Sequence, residues 1–222
     1  LPEALMNYLA LLGWSLDGST EIFSKQDLLE LFTLERVSPS PATFDYAKLL
    51  WFNQQYINHI ISVDDLVQRV APFLEAAGLI EPGAAAVDQP TYPRIHEATA
   101  LLKDRIRTLA EAPDLMSYFL VETLPEYDPA LLVPKKSEPA QVRSGLEAVS
   151  AWLASGDLSD LEGTETALRA IAETQGLKAG QLFMPIRVAI TGRTESPGLF
   201  ETMRAIGQPR VQSRIETALS LL

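Results

Sequence analysis

Ser62-Val63-Asp64-Asp65-Leu66-Val67-Gln68-Arg69-Val70-Ala71-Pro72-Phe73-Leu74 decides the fold class. Leu66, Val67, Val70 and Leu74 recur at the three- and four-residue spacing that gathers side chains on one face of an α-helix; a half-buried strand would alternate instead. Ser62 stands where its hydroxyl can take the free N–H of Asp65, a helix-start signature. Asp64 and Asp65 then meet the positive end of the helix dipole. Pro72 predicts a bend, and Gly78 lies near the end.

The same pattern extends in both directions. Towards the N-terminus, Leu5, Tyr8, Leu9 and Leu12 form one apolar face that Gly13 closes. Ser24 with Asp27 predicts a second capped helix carrying Leu28, Leu31 and Phe32. A proline-rich break, Ser38-Pro39-Ser40-Pro41, leads to a stretch rich in aromatics, with Phe44, Trp51, Phe52 and Tyr56. Towards the C-terminus, a loop over 81–93 precedes an amphipathic helix expected over 94–110, with Ile95, Ala98, Leu102, Ile106 and Leu109 on one side. Pro125, Pro129, Pro134 and Pro139 mark 124–139 as a link between subdomains. Further helices are expected over 141–154, from a box at Ser159-x-x-Glu162 to Gly176, and over 178–192 with Pro185 inside. Another opens with Ser196 at the cap and Pro197 in the first turn and ends near Gly207, and the last runs from Pro209. No strand pattern competes, so the fold class is all-α.

The 222 residues, 47% hydrophobic and 21% charged, suit a globular chain able to bury real cores. No run approaches the roughly 20 apolar residues of a membrane-spanning helix, so no membrane is expected. Without cysteine, disulfides and thiolate metal sites are excluded, and a cytoplasmic location fits. The sequence starts in mid-pattern at Leu1, as expected of a piece of something longer. Its net charge of −11 opposes bulk phosphate binding and favours a helical adaptor or protein-interaction module, the alternative reading. An RNA-binding role would need a few placed arginines.

Catalytic constellations are missing. There is no cysteine nucleophile, Gly-x-Ser-x-Gly elbow or phosphate loop, and His59 and His96 lack metal-ligand spacing. Asp64-Asp65 and Asp157-x-x-Asp160 read as caps. The informative run is Pro185-Ile186-Arg187-Val188-Ala189-Ile190-Thr191-Gly192, followed by Ser196-Pro197-Gly198-Leu199-Phe200-Glu201. One arginine in an apolar helix, beside a helix start with free N–H groups, can form a pocket for a flipped-out base. An ordinary helix stop and start explains the same residues.

The opening Leu1-Pro2-Glu3-Ala4-Leu5-Met6-Asn7-Tyr8-Leu9-Ala10-Leu11-Leu12-Gly13-Trp14 resembles the segment after the signature lysine loop of bacterial glutamyl-tRNA synthetases. The resemblance continues through Glu21-Ile22-Phe23, Phe32-Thr33-Leu34-Glu35-Arg36-Val37, Phe44-Asp45 and Lys48-Leu49-x-Trp51-x-Asn53-x-x-Tyr56-Ile57. It returns at Arg187-x-Ala189-Ile190-Thr191-Gly192 and Ser196-Pro197-Gly198-Leu199-Phe200-Glu201, and is weaker over 81–175.

The resemblance implies a joining segment over 1–61 that lies along the inside of the tRNA, then two helical anticodon-binding subdomains over 62–131 and 132–222. The nucleotide-binding fold would precede Leu1, so ATP and Mg2+ would belong to the parent enzyme, which joins glutamate to tRNA; this piece alone would be inactive and would only bind. Arg187, Ser196, Pro197 and Leu199 match anticodon-contacting positions. Arg105 matches an arginine that in some members reads the third anticodon base, separating tRNA(Glu) from tRNA(Gln). On a helix over 94–110 Arg105 would border the apolar stripe while Lys103 and Arg107 point away; an arginine whose stem covers apolar surface explains the same placement. Lys48 is the candidate contact to the tRNA backbone; Trp51, Asn53 and Tyr56 read as packing. The expected partners are tRNA(Glu) and, as a second candidate, tRNA(Gln), bound by a monomer.

Overall fold

The computed structural model describes residues 1–39 and 41–222; the expected break at 38–41 includes Ser40, which lies outside them. Among the described residues there are eleven α-helices and no strand. They are α1 (Pro2–Leu11), α2 (Lys25–Leu31), α3 (Tyr46–Gln55), α4 (Val63–Ala76), α5 (Tyr92–Leu102), α6 (Ala112–Leu120), α7 (Pro139–Leu153), α8 (Leu161–Thr174), α9 (Ala179–Thr191), α10 (Leu199–Ile206) and α11 (Gln208–Leu221). A π-helical turn, Tyr56–Ile60, extends α3, and 3-10 turns stand at Leu34–Arg36, Leu109–Glu111 and Pro129–Leu132.

The capping logic of α2 and α4 holds at atomic level. Asp27 N donates to Ser24 Oγ at 3.0 Å while Ser24 N donates to Asp27 Oδ2 at 2.7 Å. Asp65 N donates to Ser62 Oγ at 3.1 Å. Leu66, Val67, Val70 and Leu74 are all fully buried, as their spacing requires.

Four expectations are corrected. In α1 the buried face is Ala4, Asn7 and Tyr8, whereas Leu5 and Leu9 are exposed. Asn7 goes inside because three bonds satisfy its amide: Nδ2 donates to Glu21 O, and Oδ1 accepts from Phe23 N and Tyr56 Oη. The helix expected over 94–110 stops at Leu102. Thr108 and Glu111 form a capping box there, with the Glu111 carboxylate accepting from Arg107 N at 3.0 Å, and Pro113 opens the next helix. The cap of α8 is Asp160, which accepts from Gly163 N at 2.9 Å, because Asp157 takes the Ser159 N–H at 2.8 Å. Finally, α10 begins at Leu199 after Gly198, because the Ser196 hydroxyl is taken by Arg187.

A small core of Ala4, Tyr8, Phe52 and Tyr56 holds α1 on α3. A second, continuous core runs from Ile57 to Ala218. Within it α10 packs on α5, α6, α8, α9 and α11 and so bridges the earlier helices to the later ones. The proline-rich stretch is pinned to this core by Leu132, which is fully buried, and by Tyr127, whose ring lies 3.5 Å from where a side chain on Gly192 would start.

Arg214 of α11 closes the same junction. Its guanidinium donates to Tyr118 O at 2.8 Å, Ile190 O at 2.6 Å and Val121 O at 2.6 Å. These carbonyls lie at the C-terminal ends of α6 and α9, where helices leave acceptors unsatisfied and carry partial negative charge. Two helix ends thus stand where a carboxylate would otherwise be needed to offset a buried cation. Burial still pushes the Arg214 pKa down to about 10.

Candidate nucleic-acid interface

A cleft of about 360 Å³ is walled by Leu102, Arg105, Leu115, Tyr118 and Leu131 on one side and by Arg193, Thr194, Glu195 and Ser196 on the other. It lies where the turn after α5 and helix α6 face the loop between α9 and α10. Arg105 and Ser196, 91 positions apart in sequence, share it. Arg105 is exposed and makes no hydrogen bond or ion pair among the described residues.

Two devices place Arg105. The turn Lys103–Arg105 breaks from the helix, so Arg105 is not the helical rim residue that periodicity implies; Arg105 N donates to Leu102 O at 2.8 Å, and the next residue, Ile106, turns into the core. The turn is also held from α3 and its continuation. Gln54 Nε2 donates to Asp104 O at 3.2 Å, Asn53 Nδ2 to Arg107 O at 2.5 Å, and Lys103 Nζ to Ile61 O at 2.5 Å. Lys103 is thereby occupied, and Arg107 pairs outward with Glu111. Arg105 remains the cation of this turn with its donors free.

Arg187 stands behind the opposite wall. Its Nη1 donates to Ser196 Oγ and, at 2.7 Å, to Pro197 O, which straps the loop to α9. Half-burial lowers the Arg187 pKa, and the neighbouring Arg105 lowers it further. Thr191 Oγ1 accepts from Arg193 N at 3.1 Å, and Gly192 takes a left-handed φ of 70° that frees the loop from the helix axis. Pro197 and Leu199 are buried and support the loop from beneath, whereas Ser196 is half-exposed.

Sequence reasoning passed over Tyr118, Arg193 and Asp114. The Arg193 guanidinium lies 5.8 Å from the centre of the Tyr118 ring and holds Asp114 through both carboxylate oxygens, at 2.7 and 3.1 Å. That bond lowers the Asp114 pKa, and burial pushes the Tyr118 hydroxyl up to about 12. The available signal for Arg193 was its place directly after the helix-stopping Gly192. Lys48 lies apart from this cluster, paired with Glu21 at 2.6 Å and 5.9 Å from the centre of the Phe52 ring.

The cleft offers what an unstacked base requires: an aromatic face, an apolar floor from Leu102 and Leu115, and planar donors converging from two sides. Arg105, Arg187 and Arg193 against Asp114 and Glu195 also make a local basic island on a chain of net charge −11.

Residues 65–219 match the anticodon binding domain family, and residues 1–51 match the catalytic domain of class I tRNA synthetases for glutamate and glutamine. The chain belongs to the anticodon binding domain family. It is 45% identical, over all of its length, to 44% of a glutamate–tRNA ligase from Herpetosiphon aurantiacus. It is 36% identical to a glutamate–tRNA ligase from Thermus thermophilus, covering 99% of this chain and 44% of that protein. A glutamate tRNA ligase from Elizabethkingia meningosepticum superposes with a TM-score of 0.82 at 26% identity, over 99% of this chain and 41% of the other. The chain thus spans less than half the length of these relatives.

Proposed function

We propose that this chain reads the anticodon loop of tRNA(Glu) as the C-terminal part of a glutamate–tRNA ligase. The observation that carries the reading is the cleft that joins Arg105 to Ser196, with Tyr118 and Arg193 between them and Arg187 strapping the far wall. Arg105 presents a free fork to one anticodon base and selects tRNA(Glu) over tRNA(Gln). Arg187, Ser196, Pro197 and Leu199 shape the pocket for a neighbouring base. Residues 1–61 join the parent's catalytic part to the reading part, divided as 62–131 and 132–222. Lys48 touches the tRNA backbone by leaving Glu21. The complex is one chain with one tRNA, acting in the cytoplasm.

The activity of the whole parent would be ATP-dependent attachment of glutamate to tRNA. ATP and Mg2+ do not fit this chain: among the described residues no three His, Asp or Glu side chains gather to hold a metal. No step through them is placed here.

The adaptor reading draws on an exposed apolar groove of about 500 Å³, lined by residues that include Met6, Leu9, Trp14, Leu29 and Phe32. This groove falls inside the stretch that matches the catalytic domain family, so we assign it to packing against the remainder of that domain.

The test is tRNA binding at low and moderate salt, with transcripts carrying glutamate or glutamine anticodons, for the wild type and Arg105→Gln. A preference for the glutamate anticodon that the substitution removes supports the reading. Equal binding of both anticodons by the wild type sinks it.

A further inference from the structure

Beside the junction closed by Arg214, on the other side of the 122–133 stretch from the basic cleft, lies a second cavity of about 500 Å³. Its wall includes Leu124, Tyr127, Pro129, Ala189, Arg214 and Leu221. Two polar groups in this wall lack partners among the described residues. Nε of Arg214 donates to nothing although the side chain is 4% exposed, and the buried hydroxyl of Tyr127 neither donates nor accepts. Buried N–H and O–H groups left this way are costly, and the other donors of Arg214 are already committed to carbonyls.

The charge at the site selects the partner. The Arg214 cation is already offset by two helix C-termini, and Glu122 and Glu126 stand at the rim. A second full negative charge would meet those carboxylates. What the cavity lacks is one neutral acceptor for Arg214 Nε–H and one partner for a hydroxyl that can donate or accept. We propose that this cavity binds a small, flat, neutral molecule with a lactam edge, a ring carbonyl beside an N–H. The carbonyl accepts from Arg214, the N–H or the same oxygen engages Tyr127, and the ring lies against Leu124, Pro129 and Leu221. The arrangement of a few converging polar groups in an otherwise apolar concavity is that of a small-molecule site.

2-Pyridone, titrated into the whole chain and followed by protein-observed NMR, tests this. Toluene, which has no polar edge, and benzoate, which has a charged one, are the comparisons. Saturable binding of 2-pyridone that shifts resonances of Tyr127 and Thr217, with weaker binding of both comparisons, is the expected result. Tyr127→Phe should weaken it about 5- to 10-fold. Thr217→Phe, at an exposed position of the wall, should abolish it with the fold retained. Toluene or benzoate binding as well as 2-pyridone overturns the proposal. So does unchanged affinity in Tyr127→Phe, or no saturable binding of 2-pyridone. None of these results depends on whether tRNA binds the opposite cleft.

Discussion

Asn53 Nδ2 donates to the backbone carbonyl of Arg107 at 2.5 Å, across 54 positions of sequence. Through this bond α3 grips the turn on which Arg105 stands, so the joining segment takes part in positioning the base reader. Asn53→Ala should leave the buried core intact and loosen that turn. Backbone amides of 103–108 should exchange faster, and tRNA affinity should fall by about 1 kcal/mol, the worth of one such bond. Hydrogen exchange with and without tRNA checks both parts. Unchanged exchange at 103–108 would show that Gln54 and Lys103 hold the turn without Asn53.

Arg187 offers a sharper test, because its fork straps the loop through two acceptors at once. Lysine keeps the charge and loses that geometry. Arg187→Lys should therefore weaken tRNA binding by about 1–3 kcal/mol, roughly 5- to 100-fold, and expose the 193–198 loop to proteolysis. Ser196→Thr keeps the hydroxyl and should bind like wild type. Affinity of Arg187→Lys within a factor of two of wild type would remove Arg187 from the reading.

Much of the fold was legible because its helices announce themselves locally: Ser24 with Asp27, Ser62 with Asp65, and Gly192 at a stop all behave as their types and spacing require. The misreadings arise where a local signal met a tertiary one. Periodicity carried a helix through 94–110, but Thr108-x-x-Glu111 and Pro113 start another, and burying Ile106 turns the chain. Leu5 and Leu9 read as core because apolar spacing alone does not reveal that Asn7, with three bonds, takes the inside face. In the cleft, Arg105, Arg187 and Ser196 were found by resemblance. Tyr118 and Arg193 were not, because a stacked cation and a shared wall are relations between distant segments and leave no spacing in the chain.

Tyr118 makes the stability of the molecule sensitive to alkali. Burial raises its hydroxyl from an ordinary value near 10 to about 12, so the folded chain keeps a proton that the unfolded chain has lost. The unfolded state binds fewer protons in that window, and stability must fall as pH rises from about 10 to 12, its full value holding below 10. The loss attributable to this group is on the order of 2 kcal/mol. Urea midpoints at pH 9, 10 and 11 for wild type and Tyr118→Phe measure it. The variant should show the shallower decline; parallel declines would mean the hydroxyl titrates as in water.

Asp114 competes with RNA for Arg193. Its carboxylate occupies the guanidinium with two bonds, and Arg193 in return holds the Asp114 pKa below the ordinary carboxylate value, so at neutral pH the pair is closed. Because the Asp114 side chain is largely exposed, the pair adds little to stability. Asp114→Asn should therefore leave the melting temperature within about 2 °C of wild type. It removes one negative charge from the cleft and releases a cation, so tRNA affinity at low salt should rise several-fold, with a steeper dependence on salt as one more phosphate or base contact forms. Filter binding across a salt series reads both quantities. A rise in affinity with an unchanged salt slope would place the released arginine on a base, while lower affinity would mean that Asp114 itself shapes the pocket.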